Sequence, residues 1–125
     1  MFDKALAVSI LDQIIDAAVA IETRCAKASR PESFTDTEEG QILLDSVCMK
    51  LVAIGESLKQ LDHITRHELL KNYPQVEWKK IKGMRDFISH HYFDLDAEVV
   101  YDICKNHIET LNKTLATIWS DLHKS

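Results

Sequence analysis

Ten residues from Gly83 to Tyr92, GMRDFISHHY, hold an arginine, an aspartate, a serine, two histidines and a tyrosine. On a helix that runs through Tyr92, Arg85, Ser89 and Tyr92 at i, i+4 and i+7 share one stripe, and Asp86 and His90 form the stripe beside it. An aspartate one turn before a histidine can hold the imidazole and favour its protonated form. A histidine of near-neutral pKa exchanges protons at cellular pH. Arg85 offers a planar, permanently charged fork suited to phosphate. With Lys79, Lys80 and Lys82 just upstream as candidate RNA-binding cations, these groups match what metal-independent cleavage of an RNA phosphodiester requires. His90 would activate the 2'-hydroxyl or protonate the leaving oxygen, and Arg85 would stabilise charge on phosphorus in the transition state. One histidine is few for both roles; two copies meeting at a dimer interface would supply two arginines and two histidines to one cleft. The same residues also read as the polar end of a helix, with His90 or His91 against its C-terminal dipole and Asp94 starting the next element. Short motifs of this kind leave both readings open.

Other candidates are weaker. His63 and His67 have the i, i+4 spacing that can chelate zinc, but two ligands alone make a poor site, and the Glu-x-x-His of di-iron bundles is absent. No metal and no cofactor is expected. Glu56, beside Gly55, reads either as a buried polar contact near the basic segment or as an exposed helix acid. Ser57, Ser89 and the cysteines have no evident base and orienting acid, which argues against nucleophilic catalysis. His107 falls on an apolar stripe, as a core histidine would. Trp78 and Trp119 fall at core spacing and read as core anchors.

The elements that must position these residues follow from apolar periodicity. Leu6, Ile10, Ile14, Ala17, Ile21 and Cys25 recur at three and four, predicting a helix from Phe2 to about Ala28 that Pro31 stops. Thr35-Asp36-Thr37-Glu38 reads as a capping box for a second helix to about Leu61, with Leu44, Val47, Leu51, Ile54, Leu58 and Leu61 inward. Gly55 inside that helix costs about 1 kcal/mol relative to alanine, which a close helix crossing would explain. The segment Thr65 to Asn72 is a short helix at best, and a loop surrounds Pro74. A compact helix from Trp78 to about His90 turns Trp78, Ile81, Met84 and Ile88 inward. After it, Asp94 or Asp96 caps a last helix bearing Val100, Ile103, His107, Leu111, Leu115, Ile118 and Leu122. The expected fold is all-α, an up-down bundle of about five helices in one domain over residues 1–125, with apolar surface left for a second copy.

Composition agrees. The chain has 125 residues, 46% apolar and 28% charged, with only 3 Gly and 2 Pro, a balance typical of a folded domain rather than a disordered chain. Asp3, Asp12 and Asp16 interrupt the apolar N-terminal stretch, unlike a secretion signal, and no run approaches the roughly 20 apolar residues of a membrane span. Cys25, Cys48 and Cys104 are far apart and lack C-x-x-C spacing, which predicts neither a disulfide framework nor a zinc site and fits a reducing cytosol. A formal charge of −5 argues against coating nucleic acid by bulk electrostatics, although a local basic patch can still hold a phosphate chain. The charge is uneven: Glu32 to Asp45 is acidic, whereas Lys71 to Arg85 is basic apart from Glu77.

The run YPQVEWKKIKGMRDFISHHYFDLDAEVVYDI resembles the HEPN superfamily in its HepT-like branch. There, Arg-x4-His-x-Tyr follows Pro-x3-Trp-x2-Ile-x-Gly-Met, matched by Pro74, Trp78, Ile81, Gly83, Met84, Arg85, His90 and Tyr92. Ile54, Gly55 and Glu56 match an upstream Ile-Gly-Glu element of the family. The resemblance implies a dimerising α-helical domain that acts as a metal-independent endoribonuclease, usually the toxin of a cytoplasmic toxin-antitoxin pair. It makes Arg85 and His90 catalytic. Tyr92 becomes the residue to which a small nucleotidyltransferase antitoxin attaches AMP, adding charge and bulk beside Arg85. Some relatives serve only as substrate-binding or accessory partners of nucleotidyltransferases. Two positions depart from the pattern: Asp86 stands where the family often has asparagine, and His91 adds a second imidazole.

Overall fold

A computed structural model describes residues 2–124. Five α-helices carry the fold: α1 Lys4–Cys25, α2 Glu38–Ile64, α3 Trp78–His90, α4 Ala97–Asn106 and α5 Ile108–Lys124. There is no strand among the described residues, and no helix among them is long and apolar enough to cross a membrane. The all-α bundle expected from periodicity is therefore observed. α2 is its central member, packed along α1 on one side and α3 on the other, while α5 lies along α1 and α4 packs on α5 and α1.

The helix starts are set locally. Asp3 caps α1 by accepting the Leu6 N–H at 3.0 Å, and Asp96, rather than Asp94, caps α4 through the Glu98 N–H at 2.9 Å. α2 starts differently from the expected capping box. Thr37, not Thr35, is its cap and accepts the Gly40 N–H at 2.9 Å. Thr35 instead ends a 3-10 turn, Pro31–Phe34, whose Phe34 side chain is fully buried. Burying that ring takes Thr35 out of the capping position, and Thr37 supplies the same chemistry two residues later.

All six expected α2 core residues are buried, as are Ile81, Met84 and Ile88 of α3. Ile10, Ile14, Ile21 and Cys25 of the expected α1 stripe are buried, and Ala7, Leu11 and Ala18 are buried beside them, whereas Leu6 is exposed and Ala17 half-buried. The reason is that α2 and α5 both pack on α1, so its buried arc is wider than one three-four ladder. The expected last helix breaks at His107, where α4 ends and α5 begins. Trp119 corrects its expected role as a core anchor. It is 40% exposed, donates its indole N–H to Asp12 at 2.9 Å and stacks on His123. Trp78 is half-buried and donates to the Tyr73 carbonyl.

The cysteines differ most from their spacing. α4 folds back over the end of α1 and brings Cys25 and Cys104 to a Cα separation of 5.5 Å, where they form a disulfide. Sequence separation says nothing about this proximity, which arises from helix packing. Cys48 remains a buried free thiol, its pKa pushed up to about 12 by burial and by the nearby charge of Asp45.

Candidate active site at the crossing of the second and third helices

Gly55 lets α2 and α3 touch. A Cβ at this position would stand 2.8 Å from the Arg85 Cβ and 3.1 Å from the Lys82 carbonyl oxygen, closer than side-chain atoms pack. The glycine cost noted above thus has its expected cause. The close approach sets Glu56, the next residue of α2, against Arg85 of α3, and the two form an ion pair through the guanidinium Nε. Glu56 is half-exposed, so it is a surface partner of the basic helix rather than a buried contact.

Arg85 also donates from Nη1 to Asp86 Oδ1 at 2.9 Å. The other oxygen of Asp86 lies 3.5 Å from the ammonium of Lys59, one turn beyond Glu56 on α2. The hydrogen bond from Arg85, then the charge of Lys59, hold the Asp86 carboxyl below its ordinary value. Asp86 and Glu56 in turn hold Arg85 above its own. Lys59 is the member of this cluster that the motif does not include. Its signal in the sequence is the i, i+3 spacing from Glu56 on the face that Gly55 opens to α3.

Asp86 does not steady His90 with its carboxylate. Its charged neighbours occupy that group, because cation partners form stronger hydrogen bonds than a neutral imidazole does. The His90 Nδ1 instead lies 2.8 Å from the Asp86 backbone carbonyl. A carbonyl only accepts, so Nδ1 carries the proton. Nε2 is then the basic nitrogen of the neutral ring. His91 repeats this arrangement on the Phe87 carbonyl at 2.9 Å and stacks on the Phe87 ring.

α3 ends at His90, so Tyr92 does not extend the Arg85–Ser89 stripe. It opens a 3-10 turn, Tyr92–Asp94, and is 60% exposed. Ser89 and Tyr92 both line a groove, with Cys48, Met49, Val52 and Ile88. Arg85 lies one turn before Ser89 on the same α2-facing side of α3, against Gly55 and Glu56. Five residues of α-helix turn by about 140°, so Arg85 and His90 of one copy project in different directions.

The basic run is less free than its composition suggests. Lys80 pairs with Asp102 of α4 at 3.0 Å. Lys82 pairs with Asp62 of α2 at 2.5 Å, and Asp62 is only 7% exposed. Lys82 therefore closes the α2–α3 packing, whereas Lys79 is exposed and makes no ion pair among the described residues. His63 and His67 belong to no cluster of three or more potential metal ligands among the described residues; His67 lies 3.6 Å from Asp62. His107 is mostly buried, between Asp102 and Glu77.

Comparison with known proteins adds to this geometry. The chain is 34% identical over 77 residues to a candidate RNase of Methanocaldococcus jannaschii, covering 62% of this chain and 60% of that one. It is 30% identical over 86 residues to a candidate RNase of Caldanaerobacter subterraneus, covering 69% of this chain and 73% of the other. A probable ribonuclease HepT of Thermococcus cleftensis is 28% identical over 100 residues, 80% of this chain and 86% of that protein. Against another M. jannaschii protein, a gamma-glutamylcyclotransferase and candidate RNase, the match spans only 48% of the relative's length. The chain thus spans about half to three fifths of two of the relatives it matches. No solved structure gives a significant match. The profile described as Ribonuclease HepT-like matches residues 7–118. That match takes in α2, α3 and α4 whole, most of α1 and α5, and every residue of the α2–α3 crossing, and the chain belongs to the HepT-like family.

Proposed function

We propose that the protein is a metal-independent endoribonuclease that works as a homodimer, with Arg85 and His90 as catalytic residues. The observation that carries this reading is the position of the His90 ring, whose Nδ1 lies 2.8 Å from the Asp86 carbonyl. A ring held there by Nδ1 turns Nε2 outward, where it can take the proton of a 2'-hydroxyl. The freed alkoxide attacks phosphorus and the bond to the 5'-oxygen breaks. Arg85 stabilises the charge that builds on the phosphoryl oxygens, and the second copy's His90, in its protonated form, gives a proton to the leaving oxygen. The products are a 2',3'-cyclic phosphate and a 5'-hydroxyl. A dimer supplies what one copy lacks, since Arg85 and His90 of the same helix diverge.

Exposed apolar side chains beside the site support pairing. Phe93 is 99% exposed and Met49 71% exposed, and Met49 lines the groove with Tyr92. The proposal extends to a toxin-antitoxin pair, in which a small nucleotidyltransferase attaches AMP to Tyr92. The exposure of that hydroxyl-bearing ring supports access by such an enzyme. An added phosphate group there would repel RNA and crowd the cleft.

The purified protein should cleave RNA in the presence of a chelator. Arg85→Ala and His90→Ala should each lower the rate at least about a hundredfold, as expected for loss of an acid-base or charge-stabilising group. Cleavage that both variants retain would overturn the assignment. On co-expression with a small nucleotidyltransferase encoded beside it, if one is found there, the intact mass should rise in AMP-sized steps, and Tyr92→Phe should abolish the rise; an unchanged mass removes the modification mechanism.

A second reading is favoured by one observation: Arg85 is neutralised by Glu56 and Asp86 at rest. Under it, the protein is a non-catalytic accessory or substrate-binding partner of the nucleotidyltransferase. Arg85-dependent RNA cleavage by the protein alone excludes it.

A further inference from the structure

Glu56, Arg85, Asp86 and Lys59 form a chain of alternating charges across the α2–α3 crossing. All four are half-exposed, so a solute can reach them. Within the chain, the Asp86 carboxylate has one oxygen on Arg85 at 2.9 Å and the other toward Lys59 at 3.5 Å. A singly charged group with two terminal oxygens, bracketed by an arginine and a lysine, reproduces how the two non-bridging oxygens of a phosphodiester would be held.

We infer that Lys59 is an RNA-contacting residue of the site, and that Asp86 occupies in the resting protein the place a phosphodiester takes between Arg85 and Lys59. The inference rests on the ribonuclease reading above and identifies a contact within it. RNA binds by exchange. The phosphate oxygens replace those of Asp86, the aspartate turns toward water, and no covalent bond changes. Asp86 is then neither an orienter of His90 nor a bar to activity. It is an internal competitor that keeps both cations in place and weakens the site's hold on phosphate.

The alternative is that Lys59 only neutralises Asp86, and a double-mutant cycle separates the two. Binding of a mixed-sequence single-stranded RNA is measured by fluorescence anisotropy in chelator, in a His90→Ala background that leaves the RNA uncut, over a range of salt concentrations. Removing the competing carboxylate in Asp86→Asn should tighten binding about fivefold, the size of one exposed ion pair. Lys59→Gln should weaken it by about as much and reduce the slope of log affinity against log salt by about 0.7, the value for one phosphate contact on a single strand. Lys59→Arg should restore both. The deciding comparison is Lys59→Gln placed on Asp86→Asn: a phosphate contact predicts the same loss of affinity and slope, whereas a neutralising role predicts none. If the unsubstituted protein cleaves RNA in an Arg85-dependent way and Lys59→Gln changes neither affinity nor slope on the Asp86→Asn background, the inference falls and the ribonuclease reading stands. If that protein neither binds nor cuts RNA, both fall together.

Discussion

Gly55 offers the sharpest test of how the fold places the site, because Gly83 on the facing helix is its natural control. Both are helix-interior glycines, so alanine at either should gain about 1 kcal/mol of helix propensity. They differ in what a methyl group would meet. Nothing lies within 4 Å of a Cβ at Gly83, whereas at Gly55 the Arg85 Cβ lies at 2.8 Å and the Lys82 carbonyl at 3.1 Å. Neither obstacle is the loose end of a side chain; both belong to the frame of α3. The crossing must open by several tenths of an ångström, and overpacking of this kind costs about 1 to 3 kcal/mol. Gly83→Ala should therefore raise the melting temperature by about 3 to 5 °C, the shift that 1 kcal/mol produces in a chain of this size. Gly55→Ala should leave it unchanged or lower it by up to about twice that amount. Activity should separate the two further. Moving Arg85 a fraction of an ångström from its partners should lower kcat/KM about tenfold in Gly55→Ala, since displacement by 1 Å can cost a hundredfold. Gly83→Ala should cleave normally. Thermal melts by circular dichroism and initial cleavage rates decide the matter: a Gly55→Ala protein as stabilised and as active as Gly83→Ala would refute the close crossing.

Other outcomes follow from the same geometry. Lys82→Met keeps the side-chain stem but leaves the nearly buried Asp62 without its main cation, so urea denaturation should show a loss of about 3 kcal/mol, against under about 1 kcal/mol for Lys80→Met, whose pair is more exposed. Equal losses would contradict the structural role given to Lys82. Cys48, with its pKa near 12, should be alkylated by iodoacetamide at pH 8 at least about a hundredfold more slowly in the native protein than in urea, because the thiolate is the reactive form. Comparable rates would show that the thiol is not buried. The Asp102 carboxyl is held below its ordinary value by hydrogen bonds from Asn106 and Lys80. A carboxyl lowered on folding stabilises the native state above its unfolded pKa of about 3.9 and loses that contribution as pH falls through the folded value. Asp102→Asn should thus flatten the acid side of the stability curve below about pH 4; a curve as steep as that of the unsubstituted protein would argue against the pairing.

The parts of this protein that the sequence alone determined are those governed by local chemistry. Apolar spacing located α2 and α3 and their buried faces, because the 3.6-residue period is a property of each helix by itself. The motif around Arg85, His90 and Tyr92 and the reason for Gly55 were likewise legible, since they depend on residue type at short separation. Tertiary structure decided whatever depends on the register of one helix against another. Thr37 replaces Thr35 as a cap because Phe34 is drawn into the core. Cys25 meets Cys104 because α4 folds over the end of α1. Asp86, one turn from His90 in sequence, gives its carboxylate to Arg85 and Lys59 because α2 presents a lysine at that height of the crossing. Spacing along one chain carries no information about the neighbour across a packed interface, and it was that neighbour that determined which partner each charge of the site would take.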